Sequence, residues 1–159
     1  MAAGVTLKHE TLAAFRAYLE NALASDVATA RLDRALLIDG AVSAGGADAA
    51  LIATLGRAGP FGSGNPEPVI AFPGHTVVYA DRVGENHVRA RLKSGDGAVV
   101  DAIAFRAHEQ PLGKALMAHR GKQLHAAGTL CLDRWNGAER VQLRISDLAS
   151  ADTITSGVQ

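Results

Sequence analysis

One cysteine, Cys131, stands in a chain of 159 residues. A disulfide framework or a cysteine-rich zinc site within one chain is therefore excluded. Aromatic residues make up only 4%, so a partner that binds by ring stacking finds few platforms. No uncharged stretch approaches the roughly 20 apolar residues that a membrane-spanning helix needs. The first ten residues lack the basic segment and apolar block of a secretory signal. These absences predict a cytoplasmic chain with no membrane partner. Net charge is also lacking, but it is unevenly placed: residues 1–74 carry five Lys/Arg against seven Asp/Glu, and residues 75–159 carry eleven against nine. The second half also holds five of the six histidines. That mild imbalance favours an anionic partner for the C-terminal half.

What is present divides into two regimes of hydrophobic period. In residues 9–24, Leu12, Phe15, Leu19 and Leu23 recur at spacings of three and four, which predicts an amphipathic helix. A strand is expected over Ala35–Val42. A second helix over Ala47–Arg57 would be entered through Gly45-Gly46 and ended by Gly59-Pro60. The run Pro60-Phe61-Gly62-Ser63-Gly64-Asn65-Pro66-Glu67-Pro68 then breaks regular structure, since proline has no N–H and glycine tolerates positive φ. It reads as a stiff connecting loop anchored by Phe61.

Beyond the loop the period becomes two. Strands are expected at Thr76–Val83, His87–Lys93 and Ala98–Phe105, with Ser94-Gly95-Asp96-Gly97 as a hairpin turn. A short helix over residues 108–119 closes at Gly121. Strands at Gln123–Leu132 and Arg140–Ser146 are joined through Trp135-Asn136-Gly137, and Asn-Gly is a strong hairpin signal. In the last strand Val141, Leu143 and Ile145 would point inward, with Arg140, Gln142 and Arg144 outward. Phe105 is placed in the core with Ile103 and Val99. Three strands, a helix and two strands is the order of an OB-fold, a five-stranded Greek-key barrel. The fold class expected is α+β, an N-terminal α/β portion followed by that barrel.

Four segments, in order, resemble the C-terminal part of the RecJ family, single-stranded-DNA-specific exonucleases of bacteria. Residues 60–68 resemble the family's Pro-Phe-Gly-x-Gly-Asn-x-Glu-Pro signature. Val83-Gly84-Glu85-Asn86-His87-Val88-Arg89 and Asp101-Ala102-Ile103-Ala104-Phe105 are similar to two of its strands. Trp135-Asn136-Gly137 with Val141-Gln142-Leu143 and Asp147 is similar to its final hairpin. Met1-Ala2-Ala3-Gly4 looks like the stretch after the family's Gly-Gly-His motif, which is absent here, as is its Asp-His-His motif.

The resemblance implies a division into the end of a DHH-associated domain (1–59), the connecting loop (60–74), an OB domain (75–150) and a disordered tail (151–159). It further implies a fragment that guides single-stranded DNA toward the catalytic domain of a 5′–3′ exonuclease of repair and recombination. That domain, absent from this chain, would hold the Mn²⁺ or Mg²⁺. No catalytic residue and no metal or other cofactor is expected in the chain itself.

The sharpest local feature is the alternating row His87, Arg89, Arg91, Lys93. Alternate residues of a strand lie about 6.6–6.8 Å apart, close to the pitch of phosphates on an extended single strand. A line of cations at that pitch could track a nucleic-acid backbone and release its counterions. The same row also suits a solvated sheet edge protected by Lys and Arg. Arg140 and Arg144 form a second basic row, with Lys122 and Arg134 bracketing the neighbouring strand. Trp135 is the first stacking candidate and Tyr79 the weaker one. Gly62, Gly64, Asn65 and Pro66, with Phe61, are read as structural. The histidines show no metal-ligand spacing, and Asp101 is read as a hydrogen-bonding residue of its strand. The alternative to nucleic-acid binding is a barrel that docks on another domain or protein, its basic rows merely solubilising.

Overall fold

The longest strand of the C-terminal unit carries its own interruption. Pro73 has no N–H to donate to a ladder, and Gly74 takes φ 62, a backbone conformation that glycine adopts freely. The strand around them, Ile70–Val83 (β2), is otherwise rich in β-branched and aromatic residues. The ladder therefore shifts register between Phe72 and His75 and the strand bends instead of ending. Two histidines satisfy the backbone groups that the bend frees. Gly74 N–H donates to Nδ1 of His125 (3.1 Å), and Nδ1 of His75 donates to the carbonyl of Pro73 (2.9 Å). Nε2 of His75, a residue 2% exposed, accepts the N–H of Ala44 at 3.0 Å.

The structure, a computed structural model, describes residues 4–32, 35–135 and 138–151, without the side chains of Arg31, Leu32, Arg134, Trp135 and Ala138. The chain divides into two compact units, Met1–Leu36 and Leu37–Gln159. The first holds a 3₁₀ turn at His9–Thr11 and the helices Leu12–Ala22 (α1) and Ala24–Leu32 (α2). The amphipathic face expected of α1 is present, but Leu12, Leu19 and Leu23 are exposed and Phe15 is half-buried.

In the second unit the expected strand over Ala35–Val42 contracts to Gly40–Ala41 (β1), which pairs in parallel with Ile70 and Ala71. Helix Ala49–Gly56 (α3) starts where Asp48 accepts the N–H of Leu51 at 2.7 Å, an N-cap that supplies one orphan donor of the first turn. There follow His87–Lys93 (β3), Val99–Ala104 (β4), Pro111–Ala118 (α4), Gln123–Trp135 (β5) and Ala138–Ser150 (β6). β2 begins six residues earlier than the alternation suggests, because the strand continues, bent, through Pro73-Gly74.

The bend closes the sheet. The first part of β2, Ile70 to Thr76, pairs with β5, and its second part, Thr76 to Val83, pairs with β3. β3 pairs with β4, β4 in parallel with β6, and β6 with β5. The result is the five-stranded barrel β2-β3-β4-β6-β5, an OB-fold in an α+β chain, with β1 added at its margin.

The barrel interior is narrow, and small residues, Ala80, Ala90, Ala102, Ala104 and Ala126, interleave there with larger ones, among them Phe72, Val77, Val88, Leu92, Leu124 and Leu143. Leu116 of α4 is fully buried as well. Each of these large side chains contributes roughly 1.5–3 kcal/mol by leaving water. Placing Ala102 and Ala104 inward turns Val99, Ile103 and Phe105 outward, which reverses the face expected for this strand. Alanine wins the interior because little space remains beside Leu92 and Val100.

Two glycines mark the tightest approaches. A Cβ on Gly128 would lie 1.9 Å from the carbonyl oxygen of Arg144, and one on Gly113 would lie 2.0 Å from that of Ala107. The turn Ser94–Gly97 is held by Asp96, which accepts from the Ser94 hydroxyl and from Ala98 N–H. Those bonds keep the Asp96 carboxyl below the usual carboxylate range.

Three substitutions test this account by denaturant unfolding, the last as a control. His75→Ala strands a buried donor and acceptor and should lower stability by roughly 2–4 kcal/mol. Gly128→Ala should cost about 1–3 kcal/mol or more, since backbone must move. Gly95→Ala, with open space around its Cβ, should change stability by less than about 0.5 kcal/mol.

Candidate nucleic-acid interface

Inward residues of β3 (Val88, Ala90, Leu92) are buried, and Arg89, Arg91 and Lys93 between them are exposed. Paired residues of neighbouring strands share a face, so the register decides which side chains meet outside the barrel. Arg89 pairs with Ile103 of β4, and Ile103 pairs with Arg144 of β6. One step along, Arg91 pairs with Asp101 and Asp101 with Gln142. Both basic rows therefore lie on one sheet face, with Arg89 and Arg144 flanking an apolar strip at Ile103. Arg140 joins them: with Arg91, Val99 and Asp101 it lines a shallow hollow of about 310 Å³.

The cations on this face are not equivalent. Arg91 Nε donates to Oδ1 of Asp101 at 2.9 Å, and the bond and charge of that carboxylate hold the guanidinium more firmly protonated. Asp101 thus has a structural hydrogen-bonding role, as its position in the strand suggests. Asp81 sits across the ladder from Arg89, but its carboxylate is taken by Arg120 at 2.8 Å. Arg89, Lys93, Arg140 and Arg144 have no carboxylate within ion-pair distance among the described residues.

His87 departs from the row. It is half-buried, its Nδ1 accepts the N–H of Arg106 at 2.9 Å, and its ring meets Phe105 edge-on at 5.2 Å. The row is one of three cations preceded by a pinned histidine, because the strand end folds under the turn that follows β4.

Phe105 is the residue that sequence reasoning missed. It is 52% exposed on the outer side, and Tyr79, in register with Arg91, is 40% exposed. Asp101 could have revealed this, for a carboxylate within a strand faces water or a partner, and Ile103 and Phe105 share its parity. The side chains of Arg134 and Trp135 lie outside the described residues, as do Asn136 and Gly137. The backbone ladder there pairs Arg134 with Glu139. Lys122 lies just ahead of β5, and its carbonyl accepts the N–H of Val77 at 3.0 Å.

The proline-glycine loop is built as a turn. Gly62 and Asn65 exchange backbone hydrogen bonds, and Gly64 takes φ 85 at the third turn position. Asn65 Nδ2 donates to the carbonyls of Ala58 (3.2 Å) and Pro60 (3.0 Å), tying the loop to the end of α3. Pro66 is exposed and Phe61 half-buried. Cys131 faces Gln142 across the β5–β6 ladder, and burial pushes its thiol pKa up, which makes it a poor nucleophile. Among the described residues no three His, Cys, Asp or Glu are placed to hold a metal ion. No helix there is long and apolar enough to cross a membrane.

A protein-family model for the RecJ OB domain matches residues 38–147, well over half of the chain. The structure is similar to that of RecJ in complex with Mn²⁺ from Thermus thermophilus. The TM-score is 0.62 and the identity 24%, over 98% of this chain and 22% of that one. RecJ in complex with Mg²⁺ from the same organism aligns at TM-score 0.46 and 27% identity, over 63% of this chain and 14% of that one. The chain spans less than a quarter of the length of either. No curated protein matches it.

Asp101 tests the electrostatics of the face. The pair with Arg91 is partly exposed, so Asp101→Asn should change stability by less than about 1 kcal/mol. It should nevertheless release Arg91 and move elution from a heparin column to higher salt. Glu20→Gln on α1 alters net charge equally and should move it less.

Proposed function

Because this chain belongs to the RecJ OB-domain family, we propose that its barrel binds single-stranded DNA along the outer face of β3, β4 and β6. The observation that carries this reading is the pair Arg89 and Arg144. Both are exposed and without carboxylate partners among the described residues, and they are joined in register through Ile103. Successive cations on β3 fall about 6.6–6.8 Å apart, a step that suits an extended phosphodiester backbone. Lys93 and Arg140 would extend the track, and Ile103 offers an apolar strip on which sugar and base edges can rest. OB-folds commonly bind oligonucleotides on this strand face. Binding of this kind is dominated by counterion release and is indifferent to sequence.

The chain would serve as the strand-guiding part of a RecJ-like single-strand exonuclease of DNA repair and recombination. Phosphodiester cleavage would then lie in a catalytic domain beyond the residues of this chain. Mn²⁺ or Mg²⁺ would belong there. The barrel's contribution is to hold unpaired DNA at a fixed distance from that centre, which raises the local concentration of the strand. Arg91 takes a lesser part than its place in the row suggests, since Asp101 already neutralises it.

Fluorescence anisotropy with labelled oligo-dT is the direct test. Affinity should fall with salt, log K dropping by about 0.7 per log unit of salt for each phosphate neutralised. Arg89→Glu with Arg144→Glu should lower the slope by about 1.4, two such contacts, without unfolding the barrel. No binding at micromolar protein in low salt, or a flat salt response, would point instead to a barrel that docks on another protein.

A further inference from the structure

Phe105 has an exposure and a setting that the phosphate track does not explain. Its ring is 52% exposed, yet it is not loose. His87 holds it edge-on at 5.2 Å with the ring planes 75° apart. His87 in turn accepts the N–H of Arg106, a residue at φ 53 that turns the chain out of β4. A near-perpendicular contact of this kind covers at most one face of either ring, and with half of the Phe105 surface exposed the other face is open. Beside it lies a hollow of about 500 Å³ lined by Glu85, Asn86, His87, Arg106, Glu109 and Gln110. The rim thus offers a guanidinium, two amides and two carboxylates.

Position along the strand matters as much. The pairs Arg91–Asp101 and Arg89–Ile103 follow one another on the outer face of β3 and β4. His87 and Phe105 touch at the next two-residue step. A fixed ring therefore stands one step, about 6.6–6.8 Å, beyond Arg89. A strand whose phosphate met Arg89 would bring its next base over Phe105.

We propose that Phe105 is a stacking platform for one unpaired nucleobase at the end of the cationic track, with the adjoining hollow receiving the base's polar edge. The inference rests on the single-strand reading above. His87 acts as a positioning residue that sets the ring. Donors and acceptors are mixed at the hollow's rim, so any of the four bases can be accommodated, and stacking itself is sequence-tolerant.

Anisotropy on two strands of equal length separates base from phosphate: oligo-dT, and a phosphodiester strand whose sugars are all abasic. Phe105→Leu in the full chain should weaken oligo-dT binding roughly tenfold, the loss of one stacked base. Binding of the abasic strand and the thermal midpoint should stay unchanged. Phe105→Tyr, which keeps the ring, should retain wild-type affinity. A 2-aminopurine strand should be quenched by the wild type and not by Phe105→Leu. Equal binding of oligo-dT by wild type and Phe105→Leu would overturn the stacking role while leaving the phosphate track standing. Equal weakening on both strands would overturn it too. Failure of the wild type to bind either strand in low salt would remove both readings.

Discussion

Closure of the barrel depends on one bent strand whose broken hydrogen bonds are repaired by histidine. β2 must pair with β5 through its first half and with β3 through its second. A straight strand cannot serve both partners around a small cylinder; a bulge lets it turn. Pro73 and Gly74 make the bulge, and each leaves a backbone group without its ladder partner. His75 and His125 supply the missing donor and acceptor from inside the fold. His75 also reaches the turn after β1 through Ala44, so the same ring binds the margin of the barrel to its bend. Buried backbone groups left unpaired would cost about 1–3 kcal/mol each, and two histidines remove that cost.

The outer face follows from this closure. Once β3, β4 and β6 are adjacent and in fixed register, charged residues far apart in the chain meet at set distances. Some of those meetings cancel: Arg91 with Asp101, and Asp81 with Arg120. What remains without an ion pair among the described residues is Arg89, Lys93, Arg140 and Arg144, a sparse track instead of a dense one, with Arg140 facing Asp133 across the β5–β6 ladder. A zero net charge overall is thus compatible with a locally cationic face, because the sheet gathers the bases and pairs off several acids. With so few aromatic rings in the chain, the two that are exposed on the barrel unit among the described residues, Tyr79 and Phe105, carry more of whatever stacking the face can do.

Much of the barrel was legible because alternation along a strand reports burial directly. The alternating faces of β3 from Val88 to Lys93 and of β6 from Val141 to Ile145 read correctly, although β6 runs Ala138–Ser150 and not only Arg140–Ser146. The β3–β4 hairpin announced itself through its glycine turn. β4 misled because its large side chains, Val99, Ile103 and Phe105, face out while Ala102 and Ala104 fill the core. Hydrophobicity ranks side chains by size, whereas a narrow interior selects those that fit. The start of β2 was hidden for a related reason, since Pro and Gly usually end strands and here they bend one. His87 looked like the first cation of its row, and only the turn at Arg106 shows why its ring is engaged.

The amino-acid order alone therefore determined the succession of elements, the alternating faces of β3 and β6, and the family to which the C-terminal unit belongs. These are local properties, set by period, turn chemistry and short motifs. Tertiary structure alone decided that Arg89 and Arg144 share a face and that Asp101 silences Arg91. Those outcomes depend on register between strands dozens of residues apart. A slip of one residue would turn every one of these side chains to the other side of the sheet.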